Sequence, residues 1–186
     1  MKRLFALLCV VAVCLTTPLY AATSAAAADD KYPSKKALQK EWSYEGMAFE
    51  NRGGNDFANM VVATLQMQSS QLEQMVGIKA GDVVLTFDGK QVVANYRNEA
   101  SVKCDYTYNA KTGIITLSGK TDTKSYSIEG VVVQRDDAIV VFFDVNKLLK
   151  LAAEINPDLM QNQQLKTLQQ MLSSQQGIFI GAKFGK

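Results

Sequence analysis

The stretch from Val83 to Phe143 constrains this chain more than any other. Six short segments follow one another there, each a two-residue alternation or a β-branched run, and turn signals separate them. Val83 to Asp88 and Gln91 to Arg97 flank Asp88-Gly89, a dipeptide suited to a tight hairpin. Val102, Cys104, Tyr106 and Tyr108 alternate with Lys103, Asp105 and Thr107. Asn109 to Gly113 turns the chain, with Gly113 suited to a positive φ. Ile114 to Ser118 follows, then a turn over Gly119 to Thr123 and a long strand from Ser125 to Gln134. Arg135-Asp136-Asp137 turns that strand into Ala138 to Phe143. Turns this short join antiparallel neighbours, so the stretch predicts a meander.

The flanks add two strands and the helices. Trp42, Tyr44, Gly46 and Ala48 alternate with Ser43, Glu45 and Met47, which predicts a first strand with the former set on one face. Arg52-Gly53-Gly54 breaks it, and Asn55 is placed to cap a helix. Phe57, Val61, Leu65, Leu72 and Val76 recur at helical spacing up to Gly77, which predicts a helix near 55–76. Asp144 can cap a second helix, near 145–155, and Asn156-Pro157-Asp158 opens a third, near 157–174. Ile178, Ile180, Ala182 and Phe184 make a last strand. The sum is a mainly β fold: about eight antiparallel strands in a meander barrel with helical inserts. Closure is expected because it removes exposed strand edges, and it requires the last strand to pair with the first.

The N-terminus reads as a leader. Lys2 and Arg3 precede twelve apolar residues, Leu4 to Leu15. That run is too short for a bilayer span of ~20 residues, and Pro18 and a small-residue tract from Ala21 to Ala28 follow it. Residues 1–24 are expected to be a cleaved signal peptide, with the cut between Ala21 and Ala28. Cys9 and Cys14 follow Leu8 and Val13 rather than a small residue, so lipid anchoring is not expected. The destination is the periplasm or the exterior. Residues 25–37 read as a flexible lead-in, and 38–186 as one domain. The chain has 20 Lys+Arg and 18 Asp+Glu. Both excess cations lie in the leader, so the mature chain is neutral. That removes the case for nucleic acid or an anionic membrane as a partner, and no integral membrane segment remains after cleavage.

The chemistry is bounded by what is missing. The sequence has no histidine, which excludes Ser-His-Asp and Cys-His catalysis and His-ligated metals. Cys104 is the one cysteine outside the leader, so thiolate metal sites and an internal disulfide are excluded too. No phosphate-binding glycine loop is present. No metal and no cofactor is expected, and the chain is read as a non-enzyme. Acids are the remaining catalytic option. Asp82, Asp88, Asp136 and Asp137 read as turn residues, while Glu45, Asp105 and Glu129 sit on strands. Cys104 reads as a small core residue rather than a nucleophile. Seven aromatics, Trp42, Tyr44, Phe87, Tyr96, Tyr106, Tyr108 and Tyr126, are spread over successive strands and form the candidate interior. They either line a pocket for a small hydrophobic ligand or fill the barrel.

The order of pieces along the chain resembles the lipocalin-like domains of unknown function found in small exported bacterial proteins. The pieces are Trp42-Ser43-Tyr44, then Gly77 to Gly81 with Leu85 to Asp88, and Tyr106 to Leu117. Phe143 to Leu149 and Gly177 to Phe184 complete them. They cover the chain from about residue 38 to its end. The resemblance implies a calycin-type barrel and implies no assigned ligand or activity. Lipocalins proper usually carry Gly-x-Trp on the first strand, where this chain has Lys40-Glu41-Trp42. Two functions are therefore expected to compete. One is an exported binding protein with a small apolar or amphipathic ligand in the barrel. The other is a filled barrel whose outer surface meets a protein or glycan in the bacterial envelope. A connected cavity of at least ~300 Å³ would favour the first.

Overall fold

The computed structural model describes residues 31–54, 56–120, 125–155 and 176–186. The turn chemistry does what the sequence predicts. Gly89 and Gly113 take φ of 100° and 68°. The Asp88 carboxylate accepts from the Lys90 and Gln91 amides, which pins the first hairpin. The strands so joined are β1 (Glu41–Asn51), β2 (Val83–Phe87), β3 (Gln91–Tyr96), β4 (Ala100–Tyr108), β5 (Ile114–Lys120), β6 (Ser125–Arg135), β7 (Ala138–Asp144) and β8 (Ile178–Gly185). They form a closed antiparallel barrel in sequence order. β8 closes it against β1 from Ser43↔Gly185 to Asn51↔Ile178. Gly119 is not a turn residue: it is paired with Tyr126 inside the β5–β6 ladder.

Helices guard the two ends. α1 (Lys35–Leu38) is capped by Ser34, whose hydroxyl accepts from the Ala37 amide. α2 (Asp56–Met67) and α3 (Ser69–Val76) lie between β1 and β2, and α4 (Val145–Ile155) follows β7. The single helix expected over 55–76 is thus two. Gln68 has φ −98° and ψ 2°, and its N–H is shared between the carbonyls of Thr64 and Leu65. The Thr64 hydroxyl donates back to the Met60 carbonyl one turn earlier, a bond that bends helices. α3 ends at Gly77 in the left-handed conformation, as predicted. The cap of α4 is also as predicted, the Asp144 carboxylate accepting from the Asn146 and Lys147 amides. The helix expected near 157–174 and the Asn55 cap lie outside the described residues.

Two features differ from the simple alternation. The first is a register shift in β1 between Tyr44 and Gly46. Beyond it the phase inverts. Met47 and Phe49 turn inward, while Gly46 and Ala48, expected inside, turn outward. Ala48 packs on the outer face with Val133, Val140, Phe142 and Phe179. The second is the lead-in expected over 25–37, of which residues 31–37 are described and pack against the barrel. Lys31 bridges to Gln134, Pro33 is fully buried, and Leu38 is 0% exposed. Apolar burial supplies the reason: Leu38 and Pro33 fill one end of the barrel.

Candidate functional site: an apolar cavity in the barrel

The α1 end is packed solid. Trp42 donates its indole N–H to the Leu38 carbonyl at 3.0 Å, with the Lys40 ammonium 4.2 Å from its ring centre. Phe87 and Tyr106 meet edge to face at 5.2 Å. The Tyr108 hydroxyl donates to the Pro33 carbonyl at 2.7 Å. Burial pushes the Tyr108 phenol up to about 12 and raises that of Tyr106.

The other half of the barrel holds a cavity of about 190 Å³. Its walls are aliphatic and aromatic. Met47 and Ile180 come from the closing strands, Leu85, Ala94 and Val102 from β2 to β4, and Leu117 and Ile128 from β5 and β6. Ile78, after α3, and Leu148 and Leu151 of α4 cover it. Among the described residues no charged side chain lines it, and the side-chain heteroatoms there are those of Tyr44, Tyr126, Met47 and Cys104.

Glycines shape the walls. A Cβ on Gly119 would overlap the Tyr126 phenol, and one on Gly130 would come within 2.8 Å of the Phe143 ring. Both rings therefore lie flat across a glycine on the neighbouring strand, and both line the cavity. Cys104, half-buried, faces the cavity with burial pushing its thiol up to about 11. A protonated thiol is a poor nucleophile. Burial, and next the nearby Cys104, raise the Tyr126 phenol. Burial, and then the Glu73 carboxylate, raise that of Tyr44, whose hydroxyl donates to Glu73 at 3.0 Å.

The seven predicted aromatics divide by height along the barrel. Tyr44, Phe87 and Tyr126 line the cavity. Trp42, Tyr106 and Tyr108 lie below it in the packed end. Tyr96 packs partly buried against the same core but is not among the cavity-lining residues, its hydroxyl 3.4 Å from the Gly77 carbonyl and the Arg97 guanidinium 4.9 Å from its ring. The strand acids stand outside the cavity: Glu45 pairs with Lys183, Glu129 with Lys147, and Asp105 accepts from Gln91. Sequence reasoning missed Met47, Ile78, Leu148 and Leu151. The bulge conceals Met47, Ile78 sits in a loop without periodicity, Leu148 is legible only as part of a helix face, and Leu151 falls outside that face's spacing.

A closed eight-stranded antiparallel meander with one packed end and an apolar hollow defines a lipocalin-like barrel domain. The family described as Lipocalin-like domain (DUF4923) matches residues 18–186, and the chain belongs to it. No curated protein and no solved structure matches the chain.

Proposed function

We propose that this is an exported binding protein that holds a small, uncharged, apolar molecule in the barrel. The observation that supports the reading is the cavity of about 190 Å³ with no charged side chain among the described residues of its wall. It is smaller than the ~300 Å³ that drug-sized ligands need. An apolar cavity of ~150 Å³ is enough for benzene, so the ligand, or the part of it that enters, is about one to two rings or a short hydrocarbon tail. A charged head group has no partner inside and stays out. The proposal assigns no reaction, no metal and no nucleic acid to the chain, and places it in the periplasm or outside the cell. The filled-barrel reading is favoured by the packed α1 end, where Trp42, Tyr106 and Tyr108 are buried together and none of them lines the cavity.

The deciding experiment is thermal melting with benzene, indole and naphthalene. A molecule at ten times its Kd stabilises by about 1.4 kcal/mol, roughly 3–6 °C for a chain of this size. Ala94→Leu, which fills the wall, should raise the melting point and abolish the shift. If none of the three moves the melting point of the parent protein, the cavity reading is wrong and the outer surface becomes the site. N-terminal sequencing of secreted material tests export, which fails if the chain still begins at Met1.

A further inference from the structure

We propose that molecules reach the cavity sideways, through the gap between β1 and β2, and that Glu73 of α3 latches this gap. The route rests on the cavity being a binding site, but its geometry can be tested with no ligand present. β1 pairs with β2 only over Glu41, Ser43 and the residue between them. From Tyr44 onward β1 pairs with β8 alone. Among the described residues, the barrel wall thus contains a stretch of strand edge with no neighbouring strand. Bare edge groups inside a protein must find partners, and here the helical insert supplies them. The Gly81 amide donates to the Tyr44 carbonyl at 2.8 Å. The Met47 amide donates to Glu73 Oε1 at 2.7 Å, where a strand carbonyl would otherwise sit. The same oxygen accepts from the Tyr44 hydroxyl at 3.0 Å. One side chain therefore stands in for a missing strand and holds a cavity-wall phenol at the same time.

The sequence is shaped for this contact. Gly46 has no side chain, and a Cβ there would come to 3.3 Å from Glu73 Oε1. The register shift between Tyr44 and Gly46 turns the Met47 amide toward α3. Behind the latch lie only cavity walls: Tyr44 and Met47 on one lip, Val83 on the other, Ile78 between them. The alternative route, under α4, is held more firmly. α4 buries five apolar side chains, whereas Leu72 is the one buried side chain among those described in α3. Elements with little apolar anchorage open at lower free energy. The pair of bonds to the Glu73 carboxylate, an acceptor of the stronger, charged kind, ties α3 to this edge of β1.

The test uses Cys104, a cavity-wall thiol, as the reporter. The full chain is labelled with N-ethylmaleimide under native conditions, and the rate is read from the mass of the Cys104 peptide, so Cys9 and Cys14 do not interfere. Glu73→Ala should raise the rate about tenfold or more, since it removes two bonds to a charged group. Tyr44→Phe, which removes one, should raise it less. Glu73→Gln keeps the acceptor oxygen and should stay closer to the parent than either. The increase should be insensitive to low urea, as a local opening is, while global unfolding falls steeply. The proposal is overturned if Glu73→Ala labels at the parental rate. It also fails if labelling follows global unfolding with the same urea slope, or if Leu151→Ala in α4 exposes Cys104 more than Glu73→Ala does. Should Glu73→Ala not fold, Tyr44→Phe decides: an unchanged rate overturns the latch. An absence of ligand-induced melting shifts would sink the binding reading and leave the labelling result intact.

Discussion

Gly119 and Gly130 both lie on the inner face of the barrel with an aromatic ring across them, yet alanine should act differently at the two. At Gly119 the added Cβ meets the Tyr126 phenol, the free end of a side chain. The ring can swing away, because the cavity lies beside it. Replacing Gly by Ala also restricts the unfolded chain, which favours folding by about 0.4–1 kcal/mol where the backbone permits it. Gly119 carries no positive φ, so that gain is available. The off-rotamer cost to Tyr126 is about 0.5–1.5 kcal/mol, and the two nearly cancel. Gly119→Ala should therefore melt within about 3 °C of the parent, but with Tyr126 in the cavity it should bind no naphthalene. At Gly130 the Cβ meets the Phe142 carbonyl at 2.6 Å as well as the Phe143 ring at 2.8 Å. Backbone must move there, and overpacking of that kind costs about 1–3 kcal/mol. Gly130→Ala should lower the melting point by several degrees. Differential scanning calorimetry with and without naphthalene reads both effects. Equal destabilisation by the two variants, or naphthalene binding retained by Gly119→Ala, would refute the view that the glycines hold the cavity open.

Three further outcomes are expected. Removal of residues 177–186 takes away β8 and leaves the edges of β1 and β7 unpaired, so cooperative melting should vanish; a truncated chain that melts like the parent would show that closure contributes little. Leu38→Ala empties the plug of the α1 end, a fully buried position, and should cost about 2–5 kcal/mol in urea unfolding. Burial lifts the Tyr108 phenol from 10.0 to about 12. The stability it lends is complete below pH 10 and is lost as pH rises through 12, about 2–3 kcal/mol in all. Melting followed from pH 9 to 12 should fall less steeply in Tyr108→Phe, although that variant starts lower for want of the Pro33 bond.

Much of the fold is legible because it is written in local chemistry. Asp88-Gly89 and Asn109 to Gly113 can turn the chain in few ways, and each turn fixes the next strand's register and faces. Gly77 and Asp144 mark a helix end and a helix start by their own backbone and side-chain requirements. The bulge in β1 is different. Gly46 and Ala48 are small enough for either face, so alternation alone does not reveal that the phase inverts after Glu45. The inversion depends on α3, whose Glu73 meets the strand from 26 residues away. The division of the aromatics is hidden for a related reason. Cys104, Tyr106 and Tyr108 share one face of β4, and alternation places all three inside. Which one borders a cavity depends on height along the barrel. That height is set by strand stagger and by the α1 plug, a contact spanning 75 residues between Pro33 and Tyr108.

The two ends of the barrel are closed by different materials, and the difference bears on function. Interlocking aromatics close the α1 end, with the Trp42 indole N–H and the Tyr108 hydroxyl bonded to the carbonyls of Leu38 and Pro33. Aliphatic helix faces close the other, set against rings that lie flat over glycine. An unfilled apolar volume costs roughly 24 cal/mol per Å³, so 190 Å³ forgoes about 4–5 kcal/mol relative to a filled interior. Net stabilities of domains are only about 5–15 kcal/mol, so the void is a large fraction of what holds such a fold together. Filling it would need no new backbone: a leucine at Ala94 and an alanine at Gly119 act on its walls directly. A sequence that keeps a small residue at Ala94, while packing aromatics tightly at the α1 end, leaves the hollow open against an accessible gain in stability. Under the proposed function, a bound apolar molecule would return to the folded state the dispersion and burial that the void gives up.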